Sequence, residues 1–261
     1  STIIQPAEYT IRNVPILRDT LTMIKMLELS GAIVDFKSNI LRVDTRECSN
    51  YVAPYELVKT MRASFYMLGP FLSRFGKAVV SLPGGCAWGP RPVDYHIKAF
   101  EKMGATINLD GGNINAQGPL IGSEINFEQV SVGATGNVVM GAVKAKGETI
   151  ILNPSLEPEI VDLCRCLQKM GANIKGAGTD IITIKGVSTL SGACHSVMAD
   201  RIELGTFMLA PALTGGEIFL EGENLKAISW FHDKIIEMGL NVIENKDGIR
   251  VQKADRNLKN I

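Results

Sequence analysis

The chemistry-bearing part of this chain is the run Leu82-Pro83-Gly84-Gly85-Cys86-Ala87-Trp88-Gly89-Pro90-Arg91-Pro92-Val93-Asp94. Its glycines free the backbone to approach a ligand closely, and its prolines stiffen the ends. A thiol held there, five residues before a guanidinium, reads as a reagent rather than a packing residue. The alternative is a turn that contains a half-buried cysteine, since free Cys is among the most buried residue types. Arg91 brings a planar fork suited to phosphate or carboxylate, and Pro92 pre-sets the start of a following helix.

Other candidates lie on either side. Arg62 sits in an apolar helical pattern with Met61, Phe65 and Leu68, where a charge requires a partner. His96 stands about one turn beyond Arg91 and is either a pocket residue or a hydrogen-bonded structural histidine. Asp94 is either a ligand contact or a first-turn acid offsetting the helix dipole. Ser131-Val132-Gly133 opens a helix after a strand at Ile125 to Phe127, and such a turn offers backbone N–H groups to a phosphate. Asp200 is either a cleft residue or the cap of a helix beginning at Arg201. His195 and His232 carry no functional expectation, and three scattered histidines form no metal spacing.

These residues hang on a repeat. An amphipathic helix ending in a glycine step recurs at Leu27 to Ala32, Phe100 to Ala105, Leu167 to Ala172 and Ile236 to Leu240. Each glycine sits where a helix would stop in the left-handed region, and two short alternating runs follow, as in Thr106 to Leu109 and Asn113 to Ala116. Glycine-led strands recur at Gly76 to Ser81, Gly147 to Leu152 and Gly216 to Leu220, preceded by helical patterns over Tyr55 to Leu72, Gly133 to Ala145 and Arg201 to Leu213. The first unit opens on a strand near Tyr9 to Val14. A period of about seventy residues predicts stacked α/β units rather than a thin solenoid.

The bulk numbers exclude other classes. Lys plus Arg and Asp plus Glu are 27 each, so no global field favours nucleic acid or an anionic membrane. No apolar run approaches a membrane span, and residues 1–9 lack the pattern of a secretory signal. Five cysteines without disulfide-like regularity, including Cys164-x-Cys166, which is not a redox or metal spacing, point to a reducing cytoplasm.

The motifs Pro83 to Ala87, Arg91 to Asp94 with His96-Ile97, Ala53 to Ser64, Ser131 to Thr135, Glu157 to Asp162, Gly178 to Asp180 and Asp200 to Phe207 resemble the UDP-N-acetylglucosamine 1-carboxyvinyltransferases. These are the enolpyruvyl transferases that open peptidoglycan synthesis. The resemblance covers almost the whole chain in order. It implies an α/β (α+β) fold, an inside-out α/β barrel of repeated βαβαββ units, with the active site between two such domains. Residues 1–197 would form the first barrel domain, and 198–261 the first unit of a second that is only partly present. The chain then reads as an internal fragment, lacking the family's opening lysine-asparagine pair and roughly its last third.

The family reaction moves an enolpyruvyl group from phosphoenolpyruvate to the sugar 3-hydroxyl and releases phosphate, with no cofactor or metal. By the resemblance Cys86 is the proton donor, able to form a covalent adduct with phosphoenolpyruvate and to react with the epoxide fosfomycin. A neighbouring Arg lowers a thiol pKa whereas a general acid must hold its proton, a tension that closure of the loop over substrate resolves. Arg62, Arg91, Pro92, Val93, Asp94, Tyr95, Gln129, Val130, Ser131 and Val132 correspond to substrate contacts, with His96 and Asp200 as further pocket candidates. The family commonly has Lys where this chain has Gln129, a departure that weakens diphosphate binding. The base carboxylate would lie beyond residue 261, so the isolated chain is expected to bind the nucleotide sugar weakly and not to turn over. Two alternatives stand beside this reading. One is a non-catalytic nucleotide-sugar-binding paralogue, and the other is the shikimate-pathway enolpyruvyl transferase, which lacks the Gly84-Gly85-Cys86 loop. Truncated helix faces at Ile228 and Phe231 would be exposed and drive association of unspecified form.

Overall fold

The computed structural model describes residues 1–82, 93–222, 225–253 and 258–259. The chain divides into two compact units, Ser1–Val197 and Met198–Ile261.

The first unit repeats one supersecondary phrase three times. Its first copy is β1 (Glu8–Arg12), α1 (Arg18–Leu29), β2 (Ile33–Lys37) and β3 (Ile40–Asp44). The second is β4 (Val52–Ala53), α2 (Tyr55–Val58), a 3-10 turn (Arg62–Met67), α3 (Leu68–Phe75), β5 (Lys77–Ser81), α4 (Asp94–Lys102), β6 (Thr106–Asp110) and β7 (Asn113–Gln117). The third is β8 (Glu124–Asn126), α5 (Val132–Ala142), β9 (Glu148–Leu152), α6 (Pro158–Lys169), β10 (Asn173–Lys175) and β11 (Ile181–Lys185). The closing strand β12 (Cys194–Ser196) returns to the first sheet.

Among the described residues this makes three four-stranded sheets, ordered β12-β1-β3-β2, β4-β5-β7-β6 and β8-β9-β11-β10. In each, a short strand lies parallel to its long neighbour: β12 on β1, β4 on β5, β8 on β9. The other pairings are antiparallel. The alternating residues of the long strands face inward, for example Ala78 and Val80, or Ile182 and Ile184. They close on the apolar faces of α3 and α5, where Leu68, Phe71, Val138 and Val139 are fully enclosed. The helices before the hairpins stop at Gly31, Gly104, Gly171 and Gly239, all with φ between 92° and 117°. An L side chain rarely adopts this backbone, so the glycine ends the helix and turns the chain into the strand.

The second unit contains α7 (Arg201–Met208), α8 (Ala210–Thr214), β13 (Glu217–Glu221), a 3-10 turn (Leu225–Ala227), α9 (Ser229–Met238), β14 (Leu240–Asn245) and β15 (Gly248–Lys253). Its sheet, β13-β15-β14, is antiparallel throughout.

Four expectations are corrected in detail. The helical pattern from Tyr55 to Leu72 is three pieces, and inside one continuous helix Pro70 would clash with the carbonyl of Tyr66. Instead Met61 is extended (φ −148°, ψ 111°), and Pro70 falls in the first turn of α3, where it is tolerated. The pattern from Arg201 to Leu213 breaks at Leu209, with Pro211 opening α8 for the same reason. The first strand ends at Arg12 rather than Val14, since Asn13 turns left-handed (φ 58°) and its side-chain amide donates to the Val197 carbonyl at 2.9 Å. Ile228 is not an exposed face: it is 2% exposed, packed with Leu204, Met208 and Ile235. Among the described residues the most open large apolar side chains of this unit are instead Leu213, at 88%, and Ile202, at 62%.

Among the described residues no helix is long and apolar enough to cross a membrane.

Candidate functional site

In the first unit a cavity of about 630 Å³ opens between the 3-10 turn at Arg62–Met67, α4 and the N-terminus of α5. Its lining includes Arg62, Tyr66, Tyr95, His96 and the stretch Gln129 to Gly133. Arg62, Tyr95, His96, Gln129, Val130, Ser131 and Val132, which the sequence singles out from separate segments, therefore share one wall system. Val93 and Asp94 stand at the start of α4 but do not line this cavity. Asp94 pairs with Lys98 one turn on, at 3.6 Å, as a first-turn acid does. Cys86, Arg91 and Pro92 lie outside the described residues. Asp200, in the second unit, caps α7: its Oδ1 accepts from the amides of Ile202 at 2.8 Å and Glu203 at 3.1 Å, the helix-cap alternative.

The α5 N-terminus opens onto this cavity through Ser131, Val132 and Gly133. Ser131 is extended (φ −133°, ψ 110°), and its hydroxyl accepts from the Ala134 amide at 3.2 Å. The amides of Val132 and Gly133, at the first two helical positions, have no intrahelical acceptor. They point out of the helix with the positive end of its dipole. Arg62 adds a formal cation to the same cavity. Tyr66 borders it too, its hydroxyl donating to the Val132 carbonyl at 3.4 Å. Burial, reinforced by the nearby Glu159 carboxylate, raises that phenol's pKa, so it stays a neutral donor.

His96 is 6% exposed overall. Its ring meets Phe65 edge to face, with centroids 4.9 Å apart and planes at 88°. Burial first, and then the Arg62 charge, push its pKa down to about 4, against a smaller opposing pull from Asp94. It is a neutral imidazole at neutral pH. Behind it, Asn137 accepts from the Gly69 amide at 2.7 Å and donates to the Phe65 carbonyl at 3.0 Å. Its side chain also meets His96 Nδ1 at 3.1 Å.

Three contributors escaped the sequence reading: Tyr66, Phe65 and Asn137. Tyr66 follows Arg62 at i+4, one turn along the same pattern, which was the available signal. For Asn137 the signal was a lone amide before the apolar run Val138-Val139-Met140, a buried polar group that must find partners. The cavity holds carboxylate- and phosphate-compatible donors from three elements and no described acid in its lining. It can bind an anionic ligand and orient it by hydrogen bonds.

A family model described as EPSP synthase (3-phosphoshikimate 1-carboxyvinyltransferase) matches residues 2–261. The UDP-N-acetylglucosamine 1-carboxyvinyltransferase of Geotalea uraniireducens (strain Rf4) is 52% identical over 262 residues, 100% of this chain and 63% of that protein. The protein of the same name from Dinoroseobacter shibae is 47% identical, over 98% of this chain and 61% of that one. The chain thus spans somewhat under two thirds of the curated relatives it matches. Among solved structures, the enolpyruvyl transferase NikO from Streptomyces tendae superposes with a TM-score of 0.87 at 21% identity, over 98% of this chain and 62% of that one. EPSP synthase from Acinetobacter baumannii gives 0.74 at 20%, over 98% and 61%. The structural likenesses establish the fold, an enolpyruvyl transferase-like arrangement of α/β units.

Proposed function

This chain belongs to the EPSP synthase family, and from that premise we propose that it is part of an enolpyruvyl transferase acting on UDP-N-acetylglucosamine. The transfer takes the enolpyruvyl group from phosphoenolpyruvate to the sugar 3-hydroxyl and releases phosphate, a cytoplasmic step of peptidoglycan synthesis. The choice within the family rests on the relatives at 45–52% identity, all bearing the nucleotide-sugar transferase name. Residues 1–197 would be its first barrel domain, and 198–261 the opening unit of the second.

The observation that carries the substrate reading is the cavity itself. It brings the open amides of Val132 and Gly133, the Arg62 guanidinium and the His96 ring to one cavity. A diphosphate supplies acceptors for all of these at once. Gln129 lines the cavity as a neutral amide where the resemblance implies a lysine, so the amides and Arg62 would carry more of the anion's charge. Cys86 and Arg91 would act on phosphoenolpyruvate, the thiol as proton donor and the guanidinium on phosphate or carboxylate. Pro92, Val93, Asp94 and Tyr95 would meet the uridine end.

An NMR titration with UDP-N-acetylglucosamine tests this. The amides of Val132 and Gly133 and the Arg62 Nε signal should move together along one saturable curve. Binding that leaves these three signals unmoved, or no binding at millimolar nucleotide sugar, would refute the reading.

A further inference from the structure

We propose that Asn137 is a positioning residue that holds His96 as a neutral imidazole with its single N–H on Nε2, completing the donor set at the α5 N-terminus. The part of this that concerns the ligand rests on the nucleotide-sugar reading above.

The Gly69 main-chain N–H can only donate, so the Asn137 atom 2.7 Å away is the oxygen, Oδ1. The Phe65 main-chain carbonyl can only accept, so the atom 3.0 Å from it is Nδ2. Two backbone groups on opposite sides of the amide thus fix the same orientation. The Nδ2 group has a second hydrogen, and His96 Nδ1 lies 3.1 Å away. Two donors cannot share that contact, so Nδ1 offers its lone pair. An imidazolium, which carries a proton on both nitrogens, does not fit. The ring proton is therefore on Nε2.

Nε2 faces the turn that opens α5. A Cβ built on Gly133 would stand 3.2 Å from it, so the glycine lets ring and turn approach closely. Among the described residues Nε2 has no hydrogen-bond partner, while His96 and Gly133 both line the cavity. The burial and the Arg62 charge that depress the ring's pKa act in the same direction as the Asn137 contact. An oxygen of an anion seated on the Val132 and Gly133 amides would lie within reach of the Nε2–H. Asn137 reaches no ligand itself and acts through the ring.

Long-range proton–nitrogen correlation spectra of the uniformly ¹⁵N-labelled chain at neutral pH read the tautomer directly. His96 should show a protonated Nε2 and a bare Nδ1. In Asn137→Asp, a carboxylate oxygen replaces the Nδ2 donor, and the proton should move to Nδ1 or the ring should become doubly protonated. A wild-type ring protonated on Nδ1 overturns the proposal without any variant, so a poorly folding Asn137→Asp does not shield it.

The ligand-facing half is tested by two substitutions and UDP-N-acetylglucosamine titration. His96→Gln keeps an amide near the Nε2 position, whereas His96→Asn keeps one only near Nδ1. Affinity should stay within a few-fold of wild type in the first and fall by roughly 10- to 100-fold in the second. Equal losses in both overturn a donor role for Nε2. Failure of the wild type to bind the nucleotide sugar refutes the proposed function and the ligand-facing half together, while the tautomer measurement still decides the role of Asn137.

Discussion

Removing the titratable ring at position 96 should remove a specific pH dependence of stability. In the folded chain His96 is pushed down to about 4, chiefly by burial and secondarily by the Arg62 charge, whereas an unfolded histidine titrates near 6.5. The unfolded state therefore binds the extra proton more tightly. The sign follows: the contribution is complete above pH 6.5 and is lost as pH falls through 6.5 toward 4. At about 1.4 kcal/mol per pH unit, that gap corresponds to about 3 kcal/mol, a substantial part of a domain's stability. Other groups also titrate in this window, so the quantity to measure is a difference between proteins. Urea unfolding of wild type and His96→Gln is followed at pH 7 and pH 4 through the methyl signals of Val138 and Val139. Both residues are fully buried in the first unit, so the readout belongs to the unit that contains the ring. Wild type should lose about 3 kcal/mol more than His96→Gln between the two pH values. Equal losses, or a folded-state His96 resonance that titrates near 6.5, would refute the account of a buried neutral ring.

Three further outcomes follow from packing, capping and burial. Gly69→Ala places a Cβ 2.6 Å from Asn137 Oδ1 and into the main-chain oxygen of the same residue, forcing α3 and α5 apart. Thermal unfolding should show a loss of at least about 1–3 kcal/mol, as overpacked cores do, and an unchanged Tm would contradict the helix contact. Asp200→Ala removes both capping bonds of α7 and should cost about 1 kcal/mol, read as faster hydrogen exchange at Ile202 and Glu203. Asp200→Asn should recover most of that protection. Iodoacetamide at about pH 8 should label the exposed Cys194 but spare Cys164, whose enclosed thiol is pushed up to about 11. Comparable labelling of the two in peptide mass spectra would mean that the α6 core opens readily.

Local chemistry explains what was legible in the sequence. Gly31, Gly104, Gly171 and Gly239 each take a backbone that other residues avoid, so a recurring letter reported a recurring helix stop. The Ser131 turn was readable for a similar reason, since a hydroxyl before a helical run has one favoured job. The short parallel strands were not readable. Two or three residues carry no alternation, and β12 finds β1 across 184 positions of chain, as in Thr10 against Cys194. Helical periodicity likewise ran through Tyr55 to Leu72 without registering the break. A 3-10 turn keeps side chains at three-residue spacing on one face, and only Pro70 marked where the helix had to restart. Ile228 was misjudged because an apolar residue on a helix does not say which neighbour covers it, and its own unit does.

The cavity illustrates the limit most sharply. Arg62, His96 and Ser131 could each be picked out by residue type, and the alternatives for His96 were pocket residue or structural histidine. Geometry joins the two: Nδ1 is held as a structural contact by Asn137, while Nε2 is left facing the cavity. No spacing rule could have supplied this, because Asn137 owes its orientation to backbone groups 68 and 72 positions away, Gly69 and Phe65. The crossing of α3 and α5 sets the amide, the amide sets the ring proton, and the ring proton determines what the cavity can offer a ligand. A residue buried for packing reasons thus bears on the chemistry, and substitutions at the helix crossing should alter ligand binding without touching the ligand.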